Sequence, residues 1–267
     1  MTRTKNLDSR GSFFRGNTMS VISKPPIEYN YDSHVTEEDL MGYNALQARL
    51  AAYLLAVLKW MFRSEGWFIA LDLNIYMSPD PYEVPTVPDL AVYKGVVLDE
   101  EQEALILSWR IDPPGTPPPA VVFEVASKDT WQKDLNEKPD IYARMGVSEY
   151  VYIDARPKRP SGSPELRVWR MVEGRARELP ADEQGRVWSE ELQSWLVPEA
   201  GWLRLYEQNG RLRLSGEEAE RAAKEIERAA KEAERAAKEA ERALKERAWA
   251  ELRKFGVDPE NLPTDGE

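Results

Sequence analysis

Cysteine is absent from the 267 residues. That excludes disulfides, thiolate zinc sites, iron–sulfur clusters and cysteine nucleophiles together. Histidine occurs once, at His34. A histidine-rich metal site is therefore excluded, and a Ser-His-Asp triad would have to use that one residue. Long apolar runs are missing as well. The longest, Ala51–Phe62, is 12 residues and contains Lys59, whereas a membrane-spanning helix needs roughly 20. The opening MTRTKNLDSRGSFFRG has basic residues but no apolar core, so it does not read as an export signal. A cytoplasmic protein without membrane contact is the expectation. Neither a Walker loop nor a dinucleotide fingerprint is present, which argues against ATP-driven or nicotinamide chemistry. For hydrolysis, the tools that remain are carboxylates, lysine and a hard metal ion.

What is present is charge, 31% of residues, with a net of −11, of which residues 1–216 carry −7. An acidic body argues against tight non-specific nucleic-acid binding, which depends on neutralising phosphates. It still allows a local basic groove for a transient nucleic-acid substrate.

Four regions follow from the patterning. Residues 1–34 are polar, punctuated by Gly, Pro and Asn, and are expected to be flexible. Residues 35–214 read as one α/β domain. Thr36-Glu37-Glu38-Asp39 resembles a capping box, and Leu40, Leu46, Leu50, Leu54, Val57, Leu58 and Met61 recur at helical spacing, predicting a long helix to about Gly66. Strands are predicted at 67–78, at 89–93, at 120–126 (AVVFEVA, apolar enough to be covered on both faces) and at 149–154. A helix is predicted over 129–145, stopping at Gly146. Further β structure is predicted at 166–172, 187–188 and 202–214, the last with Asn209-Gly210 as a hairpin signal. Strands, then a helix, then a strand predict a mixed central sheet flanked by helices.

Residues 215–255 hold a heptad repeat: AERAAKE at 219 recurs as IERAAKE at 226, AERAAKE at 233 and AERALKE at 240. Glu220 and Lys224, Glu227 and Lys231, Glu234 and Lys238, and Glu241 and Lys245 stand four apart in the favourable orientation. A helix is expected. Its seam is almost all alanine, so coiled-coil pairing would be weak alone. A solvated spacer, a homo-oligomer helix and a partner-docking helix all remain open. Residues 256–267 read as a loose tail.

Two carboxylates stand out for chemistry. Glu124 lies inside the AVVFEVA strand, where a carboxylate is costly unless paired, hydrogen-bonded or bound to a metal. Asp89 follows Pro88 and opens a short apolar strand. On adjacent strands the two could share Mg²⁺ (or Mn²⁺), which binds few protein carboxylates and keeps several waters. A fixed cation near the reacting phosphate would complete such a site, and Lys128 and Lys138 follow at short range. Trp131 is placed either to stack on a base or to pack. An acid–base pair of a glycosidase is also chemically allowed.

Pro88-Asp89-Leu90, Phe123-Glu124-Val125-Ala126-Ser127, Thr130, Asp134-Leu135-Asn136-Glu137-Lys138, Tyr142 and Gly146-Val147-Ser148-Glu149-Tyr150-Val151-Tyr152-Ile153-Asp154 form one set. With Trp188-Ser-Glu-Glu-Leu192 and Gly201-Trp-Leu203, the set resembles the Uma-type family of bacterial restriction endonucleases, which is similar to the PD-(D/E)XK nuclease superfamily. The resemblance covers about residues 35–207. It implies a restriction-endonuclease-like mixed sheet and a divalent-metal site in which Asp89 and Glu124 hold the ion. It further implies DNA as substrate. The superfamily's lysine two residues after the acid is replaced here by Ala126. The Uma-type pattern places the matching lysine at Lys138, with Lys128 as second choice. Pro139 disfavours helical geometry at Lys138, so the helix is expected to restart with Asn136 as N-cap or to kink. The competing expectation is a catalytically inactive nuclease-like module that binds or assembles through the 219–246 helix.

Overall fold

The computed structural model describes residues 45–112, 115–128, 130–156, 165–199, 201–256 and 258. All belong to the second of two compact units, His34–Glu267. The expectations for residues 1–34, the Thr36 capping box and most of the tail lie outside the described residues.

Helix α1 (Ala45–Met61) ends before Gly66, whose φ of 63° only glycine adopts freely. The residues that follow form β1 (Trp67–Leu71) and β2 (Asn74–Tyr76). The single strand expected over 67–78 is therefore two. Asp72, at φ 47°, turns the chain between them, and β2 joins a different sheet. Next come β3 (Leu90–Val97), α2 (Glu100–Leu105) with an Asp99 capping box, β4 (Ser108–Arg110) and β5 (Val121–Val125).

The helix expected over 129–145 is also two, α3 (Trp131–Asn136) and α4 (Lys138–Met145). Pro139 lies in the first turn of α4, where its missing N–H costs no helical bond. The junction residue that caps α4 is Glu137, not Asn136. Gly146 closes α4 in the left-handed conformation, φ 86°. Strands β6 (Glu149–Ile153), β7 (Leu166–Val172), β8 (Arg175–Glu178), β9 (Val187–Ser189), β10 (Ser194–Glu199) and β11 (Trp202–Tyr206) follow, then α5 (Gly216–Lys254). The Asn-Gly turn closes through Glu207 N–H to Arg211 O at 2.8 Å and one bridge, Tyr206 to Leu212.

The main sheet has the order β1-β3-β5-β6-β7-β8 and is antiparallel except for β5 and β6. A parallel pair needs a crossover, and 126–148, carrying α3 and α4, provides it. Strands β9, β10 and β11 form a second sheet, and β2 pairs in parallel with β4. The result is a mixed α/β fold with a central mixed sheet and a long C-terminal helix.

Alternation along β5 divides the core. Val121, Phe123 and Val125 join Leu50, Leu54 and Leu58 of α1 and Leu196, Leu203 and Leu205 of the second sheet. Val122 and Ala126 face the other way, toward Tyr142, Met145, Tyr150 and Tyr152. Glu124 shares that second face by period two.

The second sheet is tied to the first by Glu149, which is fully buried. Its carboxylate accepts from Arg170 Nη2 at 2.9 Å, Ser189 Oγ at 2.5 Å and Glu190 N–H at 3.0 Å. On the opposite face, Tyr93 is wholly buried among Phe68 and Trp109, and its hydroxyl has no hydrogen-bond partner among the described residues.

Two stability outcomes are expected. Glu149→Ala leaves the buried Ser189 hydroxyl without its acceptor, along with the half-exposed Arg170 and the Glu190 N–H, and should cost about 2–3 kcal/mol by denaturant unfolding. Tyr93→Phe removes an unsatisfied hydroxyl and should raise stability by ~1 kcal/mol, a Tm increase of about 2–4 °C in a thermal melt.

Candidate functional site

The site lies where β3, β5, α3 and α4 meet. The antiparallel register pairs Leu90 with Phe123 and Ala91 with Val122. One step further along the same register sets Asp89 opposite Glu124. The Asp89 carboxylate accepts the Val125 N–H at 2.5 Å. The other side of that residue is held too, since Gln47 of α1 donates to Val125 O at 2.6 Å.

Lys138 enters from the start of α4 and is only 4% exposed. Its Nζ stands 2.9 Å from Glu124 Oε1 and 3.1 Å from Asp134 Oδ1. Glu124 and Asp134 are 3% and 1% exposed. The Tyr142 hydroxyl, one turn further along α4, donates to the same Glu124 Oε1. Asp134 is fixed in turn by Thr130 Oγ1, which donates to its Oδ2 at 2.9 Å. A hydroxyl has one proton, so Ser127 Oγ, 2.7 Å away, must be the donor to Thr130 Oγ1. Ser127 Oγ also accepts the Thr130 N–H at 2.9 Å. Tyr150 completes the shell by donating to the Asp134 carbonyl at 2.9 Å.

Three carboxylates thus face one ammonium. Burial pushes Glu124 well above the usual carboxylate range; Lys138 opposes this, and Asp89 and Asp134 add to it. Burial likewise pushes Asp89 up to about 7, against the Val125 N–H and Lys138, with Asp72 and Asp134 pushing further in the same direction. Tyr142 is raised by burial and then by Glu124, which keeps it a donor.

Asp89, Glu124 and Lys138 are brought together. Lys128 is exposed and stands outside the network. The Ala126 methyl fills the position a lysine would occupy in the superfamily pattern, and Lys138 reaches Glu124 from the helix instead. Trp131 packs against the second core cluster, with the Arg156 guanidinium 6.0 Å from its ring centre. Asp134 and Tyr142 are the residues whose contribution was not foreseen. Their signal is spacing, four residues before and four after Lys138.

Among the described residues, no group of three or more His, Asp or Glu is arranged to hold a metal ion. Asp89 and Glu124 nevertheless fit a hard divalent cation. They are oxygen donors on neighbouring strands, and the burial that raises both carboxyls is the cost a dication would offset. Magnesium needs few protein oxygens.

The Asp89 carboxyl yields a pH test. Its raised value means its contribution to stability is complete below about 3.8 and is lost as pH rises through about 7. Asp89→Asn keeps an acceptor for the Val125 N–H and cannot ionise. In chelator-treated buffer the variant should melt a few degrees above the parent near pH ~8, with the gap closing toward pH ~5.

Comparison with known proteins adds three findings. Among solved structures, a protein from Anabaena variabilis described as a "putative nuclease belonging to DUF820" is 14% identical, with a TM-score of 0.40, over 56% of this chain and 75% of that one. No curated protein matches. The model of the Uma2 family, described as "Putative restriction endonuclease", matches residues 24–198, about two thirds of the chain and the whole of the site. By that match the chain belongs to the Uma2 family of restriction-endonuclease-like proteins.

Proposed function

We propose that this chain is a Mg²⁺-dependent endonuclease that hydrolyses DNA phosphodiester bonds. The observation that carries the reading is the buried Lys138 ammonium, held between Glu124 and Asp134 beside the Asp89 carboxylate. Family membership supports the nuclease class. A structural ion pair would need one carboxylate for one lysine. Here a surplus of buried carboxyl groups over lysines is gathered at the ends of two interior strands, which suits a site that takes up a cation.

Asp89 and Glu124 would hold Mg²⁺ or Mn²⁺. When bound, the ion lowers the pKa of an attacking water and offsets charge on the phosphate. The chain's own groups do the rest. Lys138 offers a preorganised positive charge toward the pentavalent phosphorus centre, in a place where water screens it little. Asp134, braced by Thr130 and Ser127, keeps the ammonium from collapsing wholly onto Glu124. Tyr142 fixes the rotamer of Glu124 through Oε1.

The expected outcome is plasmid cleavage by purified protein in Mg²⁺ or Mn²⁺, abolished by EDTA. Asp89→Ala and Glu124→Ala should each remove cleavage and weaken Mn²⁺ binding in calorimetry. Lys138→Met, which keeps the volume, should lower kcat by about 10²–10³ while leaving Mn²⁺ bound. Lys128→Ala should change kcat by less than about threefold, as for an exposed charge. Cleavage that persists undiminished in Glu124→Ala would overturn the reading. A protein that binds the ion but cuts neither duplex nor single-stranded DNA would favour a binding or assembly module on the same fold.

A further inference from the structure

We propose that α5 is a free-standing single helix, a stiff arm rooted on the body of the protein, and not one half of a coiled coil.

The helix carries its own stabilisation. Five ion pairs at i,i+4 run along it: Glu217–Arg221 at 3.0 Å, Glu220–Lys224 at 2.7 Å, Glu227–Lys231 at 2.5 Å, Arg228–Glu232 at 3.0 Å and Glu234–Lys238 at 2.6 Å. Glu251–Lys254 adds an i,i+3 pair at 2.7 Å. Lys245, expected to pair with Glu241, lies instead with its Nζ 4.6 Å from the centre of the Trp249 ring. Alanine fills most other positions and is the best helix former. A helix whose one apolar face is nearly all alanine, and whose other faces are laced with such pairs, stands in solvent without needing a partner to cover it. Its 39 residues also exceed the length at which isolated helices are marginal.

The seam gives a partner helix little to hold. No residue of α5 is buried. Ile226 and Leu244, each 70% exposed, are 18 residues apart, which is five full turns. They share a face, but the positions between them on that face, Ala230, Ala233, Ala237 and Ala240, are all alanine. Knobs of this size bury little area.

The root, by contrast, is fixed. Ser215 caps the helix: its Oγ accepts the Glu218 N–H, and Glu218 accepts the Ser215 N–H. Glu218 also pairs with Arg204 at 3.0 Å, and Arg204 donates to the Tyr53 hydroxyl of α1 at 2.5 Å. Gly216 lies so close to Trp60 that an added Cβ would come within 2.9 Å of the indole. The direction of departure is therefore set by packing. A helix of this length extends about 58 Å, so it sets a distance where a flexible linker would set only a range.

The chain's lack of cysteine makes the test direct. Spin labels at Ala223→Cys and Ala248→Cys, 25 residues apart on one side of the helix in the full chain, should give a narrow distance distribution near ~38 Å. Sedimentation should show a mass independent of concentration over the range in which coiled coils form. Ile226→Ala with Leu244→Ala should leave both readouts unchanged. Lys224→Glu, Lys231→Glu and Lys238→Glu together put like charges four apart, and should broaden and shorten the distribution with no change in mass. A dimer that dissociates on Ile226→Ala and Leu244→Ala would overturn the proposal. So would a broad distribution in the parent chain.

Discussion

The structure turns on a single buried ammonium. Lys138 sits where two helices and two strands converge, and without it Glu124, Asp134 and Asp89 would be three buried carboxyl groups with no cation among them. Buried charge is tolerated only when paired and hydrogen-bonded. Each carboxylate here meets that condition through a different partner. Asp89 uses a backbone N–H, Asp134 a threonine hydroxyl and Glu124 a tyrosine. The break between α3 and α4 serves the same end. It places Lys138 in the first turn of α4, so that the lysine reaches back both to the helix before it and to the strand beneath.

The sheet supplies the precision. Val125 is gripped on both its polar groups, its N–H by Asp89 and its carbonyl by Gln47. A shift of β5 by one residue would break both bonds and move Glu124 into the apolar face occupied by Leu54 and Leu58. Register, site geometry and core packing therefore constrain one another. The aromatic residues above the site act in the same sense. Tyr142 packs at a tilt beside Tyr150, and Tyr150 stacks on Trp169. The two tyrosine hydroxyls reach down to Glu124 and Asp134.

Much of this was legible in the residues. Glu124 inside an apolar strand announced itself because burying a carboxylate is costly, and the Gly146 stop and the heptad helix rest on local chemistry alone. What stayed hidden depends on non-local choices. Nothing in WFIALDLNIYMS marks Asp72 as the point where the strand turns from one sheet to another. Pro139 pointed to a helix that either restarts or kinks, but not to which residue caps the restart; Glu137, not Asn136, takes that place. Strand β10 was not foreseen, and its Pro198 lies beyond Ser194–Leu196, the residues that pair with β9, where one flank of the strand is left unpaired. Asp134 and Tyr142 were visible as spacing but gained meaning only once Lys138 was seen to point inward.

The same kind of pair appears in two settings in this protein, with opposite physics. Asp134 and Lys138 are an acid and a lysine at i,i+4, as are Glu220 and Lys224. The first pair has side chains 2% and 5% exposed; the second has 67% and 72%. On α5 the attraction is weak and screened, worth a few tenths of a kcal/mol per pair, and it matters only because it is repeated along the helix. In the site, screening by water is largely removed, so each charge is felt by every other. There the arrangement is a poor means of gaining stability and a good means of holding a charged group ready. Burial thus turns one kind of pair to two uses, one that stiffens a helix in solvent and one that concentrates field at the ends of two interior strands.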